Sequence, residues 1–237
     1  MLIFLDTETT GLEIEDKICS IGMIYSKNSG FSTEYELINE GKKIPPKASS
    51  IHHITNQMIK DKKSFNESSI YKFLEANNST LSTLVVHNAA FHLEKLAQSG
   101  LVWKGGVIDT LRVTKHLIPE CEEFDLQVLR YELQLYKDEK NAAYECGIKD
   151  AIDAHHALSD ALVIKQLYEY LNTIVQSDEM MKLSFQKVLL IKFTFGKYSG
   201  KYIEEIAMND RAYLEWMLNL SDLDEDLRYS IEYYLEG

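Results

Sequence analysis

Leu2-Ile3-Phe4-Leu5-Asp6-Thr7-Glu8-Thr9-Thr10-Gly11 is the stretch whose reading decides the fold. The apolar run from Leu2 to Leu5 predicts a buried strand, and two carboxylates follow it two residues apart. Side chains at i and i+2 of a strand point to one face, so Asp6 and Glu8 aim together at the C-terminal end of a core strand. Converging carboxylates repel each other unless a cation lies between them, and a hard divalent ion with oxygen ligands is the common solution. A strand that merely ends in acids before a glycine turn has the same spacing, so the pair alone decides no function.

Outward from that strand, residues 18–25 and 31–37 predict two more strands joined by a Lys27-Asn28-Ser29-Gly30 turn, an antiparallel opening that Pro45-Pro46 ends. Ile51, His52 and His53 read as loop residues, and Thr55 as the cap of a short helix reaching Lys60. Residues 65–77 have the spacing of an amphipathic helix, and 83–86 that of a short buried strand. The latter runs into His87-Asn88-Ala89-Ala90-Phe91-His92, with a helix expected from Leu93. A strand that ends in polar residues before a helix is where open α/β sheets place their sites. Residues 107–110 predict another strand with a capped helix after it, and 126–135 a further helix. Residues 136–147 are polar and predict a mobile loop. His155-His156-Ala157-Leu158-Ser159-Asp160-Ala161 opens a helix whose Leu158, Leu162, Leu167 and Leu171 face the sheet. Strand–helix alternation after an antiparallel opening gives an α/β three-layer fold with a mixed sheet.

The composition sets outer bounds. Of 237 residues 45% are hydrophobic, with 14 Tyr and 9 Phe, enough for a sizeable core. No signal peptide and no run of about 18 apolar residues is evident, which predicts a soluble, cytoplasmic protein with no membrane partner. Cys19, Cys121 and Cys146 are too scattered for a disulfide framework or zinc site. A net charge of −12 excludes a general nucleic-acid coat protein but not an enzyme gripping a nucleic-acid end locally. The tail supplies a local patch: from Lys182 to Tyr202 there are five lysines and no acid. Phe193-Thr194-Phe195-Gly196-Lys197-Tyr198-Ser199-Gly200-Lys201 interleaves aromatic stacking faces with phosphate-binding bases, the ingredients of single-strand binding. A solvated turn in a small module has the same composition.

Asp-Thr-Glu-Thr-x-Gly-Leu, His-Asn-Ala-x-Phe and His-x-Ala-Leu-x-Asp-Ala, in this order, resemble the three motifs of the DnaQ-like (DEDDh) 3′–5′ exonucleases. The tail, with Phe-Gly-Lys-Tyr-x-Gly-Lys, then Tyr213, Leu214, Trp216 and Met217, and a terminal helix, resembles the exodeoxyribonuclease X branch of that family. The resemblance implies a ribonuclease H-like fold, with an exonuclease domain over 1–173 and a small helical C-terminal module over 182–237. It also implies phosphodiester hydrolysis at DNA 3′ ends, single strands favoured, by a two-metal mechanism using Mg²⁺. By the same resemblance Asp6, Glu8 and Asp160 are metal ligands and His155 the general base. Thr9, Ile51, His52 and Phe91 are implied as substrate contacts, with Lys197 and Lys201 holding the strand.

One position departs from the pattern: His92 stands where the second motif has Asp. Imidazole removes a negative charge from a site for two dications and favours softer metals such as Mn²⁺. The departure leaves several readings open. The enzyme is impaired, by nature or by a deliberate Asp→His replacement, or His92 itself ligates Mn²⁺ (or Glu94 substitutes). A non-catalytic 3′-end-binding protein on the same fold and an RNase T-like exoribonuclease are the alternative functions, and RNA is not excluded. Oligomeric state is not legible.

Overall fold

Strand β1, Leu2–Thr9, is longer than its apolar run because Asp6 and Glu8 continue the pairing. The computed structural model describes residues 1–27, 30–149 and 154–236; Asn28 and Ser29 of the expected turn lie outside them. β1 pairs antiparallel with β2 (Ile18–Lys27), which pairs antiparallel with β3 (Gly30–Leu37). On its other side β1 pairs parallel with β4 (Thr83–Val86), and β4 with β5 (Gly106–Asp109). The order is β3-β2-β1-β4-β5, so β1 lies where antiparallel pairing gives way to parallel pairing.

The pleat sorts β1 onto two cores. Phe4 packs with Ile24, Val85 and Ile108 on one face, whereas Ile3 and Leu5 pack with Ile21, Met23, Leu84 and Val86 on the other. Helices cover both faces. Along the chain they are α1 (Pro46–His52), α2 (Asn56–Ile59), α3 (Ser69–Ala76), α4 (Ala89–Gln98), α5 (Thr110–Leu117), α6 (Leu126–Glu132), α7 (Glu139–Glu145) and α8 (Ala157–Asn172). Helices α5 to α8 supply the Phe4 face; α3 and α4 supply the Ile3–Leu5 face. Helix α8 is buried along most of its length, as expected of a helix between a sheet and a second helical layer.

Several expectations are corrected. Pro46 does not end structure but starts α1, since proline suits the first helical position; Ile51 and His52 therefore sit on a helix. Helix α4 starts at Ala89, four residues before Leu93, because the Asp109 carboxylate accepts the Asn88 and Ala89 amides at 3.0 and 2.9 Å. Phe91 and His92 are thus in its first turn. The expected 65–77 helix breaks at Ser68, whose hydroxyl caps α3. The 126–135 helix stops at Glu132 before Gln134, which has a left-handed φ of 58°. Residues 136–147 are largely helical, anchored by Ala142, Ala143 and Cys146 in the core and by Arg130 paired with Glu139. Those small apolar residues are too few to show a helical period.

The chain continues through α9 (Ser177–Leu183), not expected from sequence, whose Met180 joins the first core. Helices α10 (Ile203–Asn209), α11 (Arg211–Leu218) and α12 (Glu225–Glu236) surround a separate cluster that includes Phe193, Ile203, Leu214 and Ile231. Arg112 of α5 grips Asp226 of α12 through two nitrogens, at 2.8 and 3.0 Å.

Gly22 controls the sheet–helix spacing. It pairs with Asp6 across β1–β2, and a Cβ there would lie 2.3 Å from the Leu158 nitrogen and 2.4 Å from the Ala157 carbonyl carbon. Only a bare backbone lets the start of α8 come this close. Gly22→Val is expected to destabilise the fold at or above the upper end of the roughly 1–3 kcal/mol usual for overpacking. It is also expected to weaken divalent-cation binding; denaturant unfolding and calorimetric titration measure the two effects.

Candidate active site

Even-numbered residues of β1 face α8. Asp6 and Glu8 therefore share the Phe4 face, and the approach allowed by Gly22 brings Asp160, on the first turn of α8, to meet them. One oxygen from each of Asp6, Glu8 and Asp160 lies within 4.8 Å of the others. The three acids sit in a recess of about 280 Å³ that also holds Phe91, His92 and His155. His155 is exposed, with a φ of 58° in the left-handed region that a side chain rarely adopts.

Burial pushes all three carboxyls toward their neutral form, and they reinforce each other. Asp6 is raised well above the usual carboxylate range by burial and then by the charges of Asp160 and Glu8. Asp160 is pushed up to about 8 by burial and by Glu8, and Glu8 to about 7 by burial. A donor set of three carboxylates and no thiolate suits a hard divalent cation, which would supply the positive charge this cluster lacks.

Odd-numbered residues face the other way, and there Thr7 meets α4. The Thr7 hydroxyl is 2.9 Å from His92 Nδ1, while His92 Nε2 reaches past the strand to within 3.4 Å of Asp6 Oδ1. Burial lowers the His92 pKa to about 4, so the ring is neutral near pH 7 and its contact with Asp6 is polar rather than an ion pair.

Asp160 has a support that the sequence does not announce. Gln127 Nε2 donates to its Oδ1, Arg130 donates to Gln127 Oε1 at 3.0 Å, and Glu139 pairs with Arg130. The far end of this relay lies in the segment expected to be a loop. His87, Asn88 and Asp125 also line the recess; His87 and Asn88 belong to the second motif, and sequence reasoning missed Asp125.

The other expected site residues lie outside the recess. Thr9 is buried, its hydroxyl donating to the Gly11 carbonyl at 2.6 Å. His52 faces inward: Nδ1 accepts the Ile54 amide at 3.0 Å and Nε2 is 3.7 Å from Cys19 Sγ. A ring so committed fastens its surroundings rather than presenting itself to a ligand, and Ile51 is the exposed member of that pair. Lys197 ion-pairs with Asp210 at 3.1 Å and sits over the Tyr198 ring, and Lys201 is exposed. The basic stretch is less basic in three dimensions, because Lys182 and Lys192 pair with Glu179 and Glu120.

Residues 3–168 match the Exonuclease family model, and residues 193–221 match the Exodeoxyribonuclease X-like C-terminal model. The chain belongs to the exonuclease family. Exodeoxyribonuclease 10 of Escherichia coli K12 is 30% identical over 244 residues, covering all of both chains. The DNA polymerase III epsilon subunit of Treponema pallidum is 34% identical over 172 residues, 69% of this chain and 72% of that one. Among solved structures, exonuclease X in complex with 5′ overhanging duplex DNA superposes with a TM-score of 0.61 at 22% identity, covering 78% of this chain and 99% of that one. The nuclease domain of 3′hExo, a DEDDh family member bound to rAMP, gives 0.52 at 11% identity, covering 73% and 92%. The family's ribonuclease H-like fold is the three-layer architecture described above. Among the described residues no helix is long and apolar enough to cross a membrane.

The raised carboxyl pKa values fix a pH dependence. Without metal, the folded-state carboxyls hold more protons than their unfolded counterparts between the ordinary carboxylate range and about pH 8, so their contribution to stability falls as pH rises through that window. The lowered pKa values of His52, His87, His92 and His116 act in the opposite sense up to the ordinary imidazole range. The melting temperature of the metal-free protein is expected to drop between about pH 7 and pH 8, where the histidines no longer titrate and the carboxyls do. Mg²⁺ or Mn²⁺ is expected to raise it more at pH 8 than at pH 5, and Asp160→Asn to flatten the slope; scanning calorimetry reads all three.

Proposed function

We propose that this chain is a metal-dependent 3′–5′ exodeoxyribonuclease that shortens DNA from its 3′ end, favouring single strands. The convergence of Asp6, Glu8 and Asp160 beside His155, in a chain of the exonuclease family, carries the reading. The names of its relatives bring DNA forward as substrate. The proposed organisation is an exonuclease domain over 1–173 and a C-terminal module over 182–237; the separate hydrophobic cluster of the tail supports that division. Three buried free cysteines suit a reducing compartment, which favours the cytoplasm.

Asp6, Glu8 and Asp160 would hold the divalent ions. When bound, such ions neutralise charge building on the phosphate and lower the pKa of the attacking water. His155, at the open side of the recess, takes the proton from that water onto its imidazole, a side chain suited to proton transfer near neutral pH. Gln127, held by Arg130, keeps Asp160 turned toward the other two acids. Phe91 and exposed Ile51 offer apolar contact to the terminal nucleotide; His52 and Thr9, whose side chains are committed to their own surroundings, act on that contact only indirectly.

His92 sets the metal preference. If Thr7 accepts the Nδ1 proton, the Nε2 lone pair faces Asp6, which makes the ring a nitrogen donor with a fixed tautomer. A neutral nitrogen replacing a carboxylate weakens a Mg²⁺ site and is better tolerated by Mn²⁺. The expected enzyme is weak with Mg²⁺ and stronger with Mn²⁺.

Degradation of a 5′-labelled single-stranded oligonucleotide tests this. A ladder of 3′-shortened products is expected with Mn²⁺, and His92→Asp is expected to raise the Mg²⁺-supported rate roughly 10- to 100-fold. Asp6→Asn is expected to abolish the ladder with either ion. Absence of products from both the unmodified chain and His92→Asp, with DNA binding retained, would leave an end-binding protein in place of the enzyme.

A further inference from the structure

A groove of about 840 Å³ adjoins the recess. His87, Asn88 and Asp125 line both spaces, so the two share a wall. One wall comes from the exonuclease fold, with Lys115 and Phe124; the other is the segment that ends in Phe195. Phe193 is buried in the tail's own core, but Phe195 is 53% exposed. The chain turns immediately after it, at Gly196, whose φ of 73° favours a residue without a side chain. A large ring is therefore left in water beside the path to the carboxylates.

The charges along the groove narrow the occupant. Lys192 is tied to Glu120 at 3.0 Å and Lys115 Nζ lies over the Phe124 ring, 5.8 Å from its centroid, while Glu122, Glu123, Asp125 and Asp224 also line the groove. Acids outnumber bases, so the groove is not built to follow a phosphate backbone. It offers aromatic faces, which stack on any base irrespective of sequence. Its volume lies in the range of small-molecule sites, room for a few bases and far short of a double helix.

We infer that this groove takes the unpaired bases of the DNA strand leading into the recess, with Phe195 as the stacking face and Lys115 as a phosphate contact. The tail's contribution to the substrate is thereby Phe195, not Lys197 or Lys201, neither of which lines the groove. The inference rests on the exonuclease reading for the identity of its ligand. It also gives the proposed single-strand preference a physical basis, because bases paired in a duplex cannot present their faces to the Phe195 ring.

Binding separates the groove from the chemistry. Fluorescence anisotropy of the full chain, in Ca²⁺ buffer, would compare 5′-labelled oligothymidylates of 3 and 12 nucleotides. Wild type is expected to bind the 12-mer more tightly than the 3-mer. Phe195→Leu, which keeps an apolar side chain at an exposed position, is expected to weaken 12-mer binding roughly 5- to 100-fold and remove the length dependence. Its salt dependence is expected to match wild type, whereas Lys115→Ala is expected to reduce the salt slope by about 0.7. Phe195→Trp is expected to retain affinity. A Phe195→Leu protein that binds the 12-mer as wild type does overturns the proposal, as does wild-type binding that is equal for both lengths. Failure of the exonuclease reading shows separately, as absence of 3′-shortened products while binding persists.

Discussion

Three carboxyl groups whose oxygens lie within 4.8 Å of one another, shielded from water, cannot all ionise unless positive charge joins them. Much of the molecule serves to keep them together despite that repulsion. The pleat of β1 commits Asp6 and Glu8 to one face, and antiparallel pairing of both residues with β2 prevents their retreat. Gly22 removes the one side chain that would hold α8 away, so Asp160 arrives on a rigid helix rather than a loop. The Gln127–Arg130–Glu139 relay then fixes its rotation. A cation bound here converts the principal electrostatic cost of the fold into a favourable interaction, which couples metal affinity to stability.

The same pleat keeps His92 to the side of the acid cluster. It approaches from α4, on the opposite face of β1, where Thr7 is the nearest β1 side chain. Only its Nε2 edge meets Asp6. The ring therefore lies beside one oxygen of one acid, and the Asp6–Glu8–Asp160 cluster forms without it. Burial keeps the ring neutral, so it neither supplies the missing negative charge nor repels a cation.

Strand positions and the Asp6–Glu8 pair were legible in sequence because both depend on short-range pattern. An apolar run places β1 and alternation assigns the faces of Asp6 and Glu8, whereas a leucine period gives only the helix that carries Asp160, and its place beside the other two came from the resemblance of its motif. The supports were not legible. Glu139 reaches the site through two intervening side chains, and its helix has only small apolar residues to betray it. His52 looks like a polar loop residue until α1 turns its ring onto Cys19. The lysines of the tail read as one basic patch because their partners, Glu120 and Asp210, are distant in sequence or lie beyond the stretch. Charge patterning along a chain records which bases are present, not which remain unpaired after folding.

The tail is joined to the recess by hydrogen bonds as well as by the groove. Asp109 ends β5 and caps the amides of Asn88, Ala89 and Leu111, so it sets the first turn of α4, from which His92 projects. Its own amide donates to Ser184, just past α9, at 2.8 Å. A few residues on, Asp226 accepts the Val188 amide at 2.9 Å while holding Arg112 of α5, the helix that Asp109 also caps. The carboxylates thus stand on the sheet and α8, whereas His92 and the groove stand on elements that the start of the tail ties down. A tail fastened at these points is part of the frame around the second wall of the recess, and its loss would loosen α4 and α5 before it reached Asp6, Glu8 or Asp160.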